Sequence, residues 1–113
     1  MDKLLYPFKA LADETRLRII NILIMRECCV CEVMQALDIS QTRASRNLGI
    51  LHEAGFLKLR KDGLWSLYSL KASPADYHTK LAHIVNGTLK DNPQAKKDLK
   101  RLNRARRSYL LPD

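Results

Sequence analysis

The chain has 113 residues, 46% hydrophobic content and a formal net charge of +8. That is enough to bury the core of one domain spanning residues 1–113, yet so small a core gains from further burial in a homodimer. No apolar run approaches the roughly 18 residues of a membrane span, and no basic segment followed by an apolar one opens the chain. Membrane insertion and secretion are therefore not indicated, and a cytoplasmic location is expected.

In chain order, Leu4 to Ala12 reads as a short apolar helix, with Pro7 tolerable in a first turn. Asp13 is a credible N-cap for a helix from Glu14 to Ile24, in which Leu17, Ile20 and Ile24 are core candidates. Glu27-Cys28-Cys29-Val30-Cys31-Glu32 then places all three cysteines within four positions. An odd number of crowded thiols suits metal or redox chemistry in a reducing compartment better than a disulfide framework.

A helix-turn-helix pattern follows at once. Val33, Met34 and Leu37 give a first helix one apolar stripe, Asp38-Ile39 is the turn, and Ala44, Leu48 and Leu51 line a second helix. Ser40 sits at the N-cap of that second helix. Its outward residues are expected to be Gln41, Thr42, Arg43, Ser45, Arg46 and Asn47, with His52 further along. Arginine can donate in a fork to guanine, Gln or Asn can pair with adenine, and Ser or Thr can reach a phosphate, so this mixture suits a helix lying in the DNA major groove. An ordinary solvated helix face is the competing explanation.

Gly55 stands at the helix C-terminus, where a left-handed residue is needed, and Phe56 can fold back onto the helix. The segments 56–60 and 64–70 flank Lys61-Asp62-Gly63 and predict a β-hairpin, which after a recognition helix makes a wing. Arg60 and Lys61 at its tip can meet a phosphate strand or the adjacent minor groove. Ser73-Pro74 predicts the start of a helix reaching Leu89, with Tyr77, Leu81, Ile84 and Thr88 on one face. Asn92-Pro93 ends it and begins another, in which Ala95, Leu99, Leu102 and Tyr109 form a stripe. That stripe and the N-terminal helix are the expected dimer seam, although a helix folded back on its own subunit would show the same pattern.

Positive charge is concentrated rather than spread. Between residues 40 and 71, Arg43, Arg46, Lys58, Arg60, Lys61 and Lys71 face only Glu53 and Asp62. The final segment adds Lys96, Lys97, Lys100, Arg101, Arg104, Arg106 and Arg107 against Asp98 and Asp113, which makes either a phosphate-contacting arm or a soluble helix face, the commoner use of such runs.

From about residue 4 to about residue 90 the chain resembles the ArsR/SmtB winged-helix repressors. Leu11-Ala12-Asp13-Glu14-Thr15-Arg16-Leu17-Arg18-Ile19 is similar to the family's "LADPTRLRIL", and Cys29-Val30-Cys31-Glu32 to its "CVCDL" metal box. The segment 39–48 is similar to "LSQPKVSRHL" and the segment 51–57 to "LREAGLL". The resemblance implies a mainly α fold with a β-hairpin wing, and a homodimeric repressor that leaves a partly palindromic operator in double-stranded DNA when an inducer fills its sensor. Four positions depart from the pattern, the first being Glu14 where proline is usual. Met34 stands at the third sulfur position of the arsenic-responsive "CVCDLC" box, Thr42 replaces proline and Asn47 replaces histidine, while Cys28 adds a thiol before the box.

If the cysteines lie on a helix, Cys28 and Cys31 are about 60° apart around the axis and Cys29 and Cys31 about 160° apart. The first pair can then share an ion, whereas a site using Cys29 and Cys31, or all three, requires the helix to unwind at its start. Unwinding would displace the recognition helix. No resident cofactor is required. Three sulfurs suit a pyramidal trivalent ion, so As(III) or Sb(III) is the expected inducer, with another thiophilic metal ion as the wider class. Asp76-x-His78 matches the family's zinc-sensor pattern only in its first two ligands, since Leu89 and Asn92 occupy the later positions. Two further readings stay open: a thiol-redox switch in the same fold, and a thiol-disulfide oxidoreductase at Cys29-Val30-Cys31. Cysteines that merely pack as small hydrophobes are the plain alternative.

Overall fold

The computed structural model describes residues 1–108 of the chain. Six helices and a three-stranded antiparallel sheet follow one another as α1 (Asp2–Leu11), α2 (Glu14–Leu23), β1 (Cys28–Cys29), α3 (Val30–Leu37), α4 (Gln41–Glu53), β2 (Leu57–Asp62), β3 (Trp65–Leu70), α5 (Tyr77–Thr88) and α6 (Pro93–Arg104). This is a mainly helical winged helix-turn-helix.

Side-chain caps set most helix starts. Asp13 accepts from the Arg16 amide, Ser40 from the Arg43 amide at 3.2 Å, Asp76 from the His78 amide and Asn92 from the Ala95 amide. These bonds satisfy donors that the helix itself leaves open. Helix α5 begins at Tyr77 behind Asp76 rather than at Ser73-Pro74, which instead forms a turn closed by the Asp76 amide donating to the Ser73 carbonyl. Asp38 closes α3 in the left-handed region at φ 56°, and Gly55 ends the α4 segment at φ 95° with the Phe56 amide donating to the Leu51 carbonyl. The hairpin pairs Asp62 with Trp65 directly, so its two-residue turn is Gly63-Leu64 and Asp62 is the last strand residue. Gly63 at φ 59° takes the first turn position, where a positive φ matches the strand twist.

The core gathers Ile19, Ile20, Ile22 and Leu23 of α2 with Val33, Ala36 and Leu37 of α3, Ala44, Leu48 and Leu51 of α4, and Phe56 and Leu57. Of the three core positions expected on α2, Ile20 is fully buried while Leu17 and Ile24 are half-buried. The buried face lies one step away because α3, α5 and α6 all pack on the same helix.

Helix α6 folds back on its own subunit. Ala95, Asp98 and Leu102 are buried against α2 and α3 of the same chain, the alternative use of such a stripe. Tyr109, the last position of the stripe, lies outside the described residues. The outer faces of α1 and α5 remain uncovered, with Leu4, Leu5, Tyr6, Phe8, Tyr77 and Ile84 all exposed.

Candidate functional site

The cysteine segment departs from the helical expectation. Cys28 and Cys29 form a two-residue strand paired with Tyr68 and Leu67 of β3, so α3 begins only at Val30. Neighbouring side chains on a strand point to opposite faces. Cys28 enters the main core, whereas Cys29 packs with Cys31 and Leu67 in a separate small cluster against Trp65. The pairing inferred from a helix is therefore reversed. Cys29 and Cys31 are joined as a disulfide with their Cα atoms 5.4 Å apart, and Cys28 is the separated thiol. Burial pushes the Cys28 thiol up to about 12, so it stays protonated at neutral pH and does not offer a thiolate. Among the described residues no group of three or more His, Cys, Asp or Glu side chains converges as a metal site. Of the expected set Cys28, Cys29 and Cys31, the structure brings together Cys29 and Cys31, while strand alternation turns the Cys28 sulfur into the main core.

Cys29 is also the N-cap of α3. Its sulfur accepts from the Glu32 amide at 3.3 Å, and Glu32 returns a carboxylate oxygen to the Cys29 amide at 3.0 Å. This is a reciprocal capping box with sulfur in place of the usual hydroxyl. Since the backbone at Cys29 is already extended, no helical turn has to unwind to bring the two sulfurs together. Sequence reasoning missed the role of Glu32, although a Glu three residues after the cap was the available signal. Glu32 is in turn paired with Arg26 at 2.8 Å, and Arg26 also donates to the carbonyls of Leu102 and Ala105 at the end of α6. Gln35 on the next turn of α3 donates to the Arg106 carbonyl and accepts from the Arg106 amide. The Arg107 guanidinium lies 5.3 Å from the centre of the Trp65 ring and pairs with Asp62 at 2.9 Å. The cysteine cluster is thus tied to both the wing and the C-terminal helix.

On the reader, Ser40, Gln41, Thr42, Arg43, Ser45 and Arg46 are exposed along one side of α4. Arg43 is steadied by a 2.7 Å bond to the Thr15 hydroxyl. Asn47 does not face outward as expected: it is 4% exposed. Its amide oxygen accepts from Arg16 at 2.9 Å and its amide nitrogen donates to the Arg43 carbonyl. Position 47 is six residues after the first helical residue, far enough round to meet α2, and Asn47 serves as a brace between helices. On the wing, Arg60 is exposed and forms a two-pronged pair with Glu27, which holds that carboxyl below the usual carboxylate range. Lys61 is exposed and donates to Ser66 on the neighbouring strand. His78, the remnant of the zinc-sensor pattern, bonds Asp76 at 2.7 Å and packs edge-on against Phe56, a structural use of the ring.

A capped recognition helix, its preceding helix and a twisted hairpin beside it define a winged helix-turn-helix protein. The model of the bacterial regulatory protein arsR family matches residues 13–64. An arsenic resistance transcriptional regulator of Pseudomonas putida is 40% identical over 89 residues, covering 77% of this chain and 74% of that protein. The chain belongs to the ArsR family. It is also 52% identical over 64 residues to the arsenical resistance operon repressor of Escherichia coli, covering 56% of this chain and 55% of that one. The chain spans about half the length of the first curated relatives it matches. Among solved structures, HlyU from Vibrio cholerae superimposes with a TM-score of 0.70 at 26% identity, covering 80% of this chain and 95% of that one. A homodimeric winged helix-turn-helix DNA-binding domain from Mycobacterium bovis gives 0.68 at 26% identity, covering 81% and 82%. These relatives are transcription regulators and the fold is theirs, so the oxidoreductase reading of Cys29-Val30-Cys31 falls away. No helix among the described residues is long and apolar enough to cross a membrane.

Proposed function

We propose that this protein is a homodimeric transcriptional repressor that binds a palindromic operator in double-stranded DNA and leaves it when As(III) or Sb(III) engages the reduced pair Cys29 and Cys31. Ser40, Gln41, Thr42, Arg43, Ser45 and Arg46 on α4, with Arg60 and Lys61 on the wing, are the DNA-contacting set. The observation that carries this reading is the double use of Cys29, whose sulfur is both a candidate inducer ligand and the cap of α3. A sulfur that donates its lone pair to a soft ion accepts poorly from the Glu32 amide, and loss of an N-cap costs about 1 kcal/mol. Helix α3 packs directly on α4, which gives a reorganised first turn a route to the reader. A coupling of roughly 1 to 3 kcal/mol weakens DNA binding about 5- to 150-fold, which is sufficient for induction. With Cys28 turned into the core, the third ligand of a trivalent ion comes from outside this pair, such as a water or a small thiol.

The test is a gel shift on operator DNA with reduced protein. Arsenite or antimonite at micromolar levels is expected to release the wild type, and Cys29→Ser or Cys31→Ser to bind DNA normally but resist release. Unchanged release in both variants would falsify the sensor.

The bonded state of Cys29 and Cys31 favours a second reading, a thiol-redox repressor. Hydrogen peroxide would take two electrons from the two thiols, leaving one S–S bond and two waters. Release by peroxide and not by arsenite, reversed by dithiothreitol, would establish it in place of the metalloid sensor.

A further inference from the structure

Helix α6 carries a charged surface that the reader and the sulfur pair leave unexplained. Lys96, Lys97, Lys100 and Arg104 are all exposed. At 100° per residue they fall within about 100° of arc, opposite the stripe that α6 buries. Asp98 is the sole acidic residue between Pro93 and Arg104, and it is fully buried, pairing with Arg18 at 2.8 Å and Arg101 at 3.2 Å. None of the four outer cations forms an ion pair among the described residues. On a merely solvated face both signs are ordinarily interspersed. Here one sign stands alone.

The position of this face is fixed by contacts at both ends of α3. Arg18 bridges Asp98 to the Leu37 carbonyl, and Arg101 donates to the Ala36 carbonyl, which sets the middle of α6 beside the turn leading into α4. At the other end, Arg26 joins Leu102 and Ala105 to Glu32, and Arg107 reaches Asp62 of the wing. Helix α6 therefore runs antiparallel to α3 along the flank between the helix-turn-helix turn and the wing.

We infer that the outer face of α6 is a second phosphate-binding surface, engaging the backbone of duplex DNA beside the stretch contacted by α4 and the wing. This rests on the DNA-binding reading above. At 1.5 Å per residue the four cations from Lys96 to Arg104 span about 12 Å, the rise of between three and four base pairs at about 3.4 Å per phosphate on one strand, so they can follow a short row of phosphates. The buried Asp98 clamp holds the helix in place beforehand, and little conformational entropy is lost when DNA arrives. Backbone contacts of this kind add affinity and register without reading bases.

The experiment uses a binding site selected by the wild type from random-sequence duplexes and made in two lengths, the core alone and the core extended by about one helical turn on each side. The wild type is expected to bind the extended duplex with a salt slope steeper by about 2 or more than on the core, since each phosphate contact contributes about 0.9. The variant K96Q/K97Q/K100Q/R104Q, with wild-type circular dichroism, is expected to lose that difference while binding the core as before. Equal slopes on the two lengths in the wild type, or an unchanged steep slope in the variant, overturn the inference. So does a wild type that gains nothing from the extension but binds phosphatidylserine vesicles through these four residues, which makes the face a membrane contact. Failure of the wild type to bind even the core duplex overturns the DNA-binding reading itself.

Discussion

At Cys29 a single sulfur atom accepts the amide of Glu32, lies bonded to Cys31 and packs against Trp65, the one tryptophan of the chain. Serine is itself a good N-cap. Cys29→Ser is therefore expected to keep thermal stability within about 1 kcal/mol of wild type while abolishing any arsenite-dependent change in Trp65 fluorescence; a retained change would mean that the ion binds elsewhere. Cys28 supplies a pH test. Its thiol is raised from 9.0 to about 12 in the folded protein. Between those values the native state holds a proton that the unfolded chain releases, so stability falls as pH rises from about 9 to about 12. Urea midpoints measured across the accessible part of that window are expected to fall less steeply in Cys28→Val than in the wild type. Asp98 is the third position of this kind. Asp98→Ala leaves Arg18 without its partner in a mostly buried setting and is expected to destabilise the fold by about 3 kcal/mol, read by chemical denaturation.

Among the elements, α4 and the hairpin were legible in the sequence because their punctuation is local: Ser40 caps, Gly55 turns and Gly63 opens the wing. The end of α4 is also where one glycine is irreplaceable. A Cβ at Gly55 would lie 2.8 Å from His78 Nε2, on a backbone at φ 95°. Gly55→Ala is expected to cost about 1 to 3 kcal/mol, with a matching loss of midpoint in thermal unfolding. Strand β1 was not legible. Two residues carry no periodicity, and what makes Cys28 and Cys29 extended is the edge of β3 beside them. The orientation of all three sulfurs follows from that pairing. Helix α6 presents the same lesson in another form: its apolar spacing was visible, but whether it served a partner or its own subunit depended on where Asp98 could meet Arg18, eighty residues earlier in the chain.

For the molecule as a whole, the uncovered apolar faces of α1 and α5 are the places where a second copy can bury surface, and a C2 pair would present two readers to a palindrome. Phe8→Glu on α1 is expected to shift the protein to a monomer in sedimentation and to weaken operator binding; a dimer of unchanged affinity would remove α1 from the seam. The charge distribution belongs to this scale as well. The reader, the wing and the outer face of α6 are basic, whereas acids such as Glu27, Asp62 and Asp98 are each matched to an arginine.

The linear chain by itself determined the starts of α2, α4 and α6, the reader with its exposed polar mixture, the wing, the crowding of the thiols and, through four ordered segments, the family. Those features depend on residues within a few positions of one another, where propensity, capping and turn chemistry act. Only the tertiary structure decided that Cys29 pairs with Cys31 while Cys28 is buried apart, that Asn47 braces α2 instead of facing outward, and that α6 packs on α3 with Arg107, just beyond it, reaching the wing. In these cases the outcome is set by a strand edge, a buried ion pair or a neighbouring helix brought from far along the chain, and such contacts leave no periodic trace at the residues they organise.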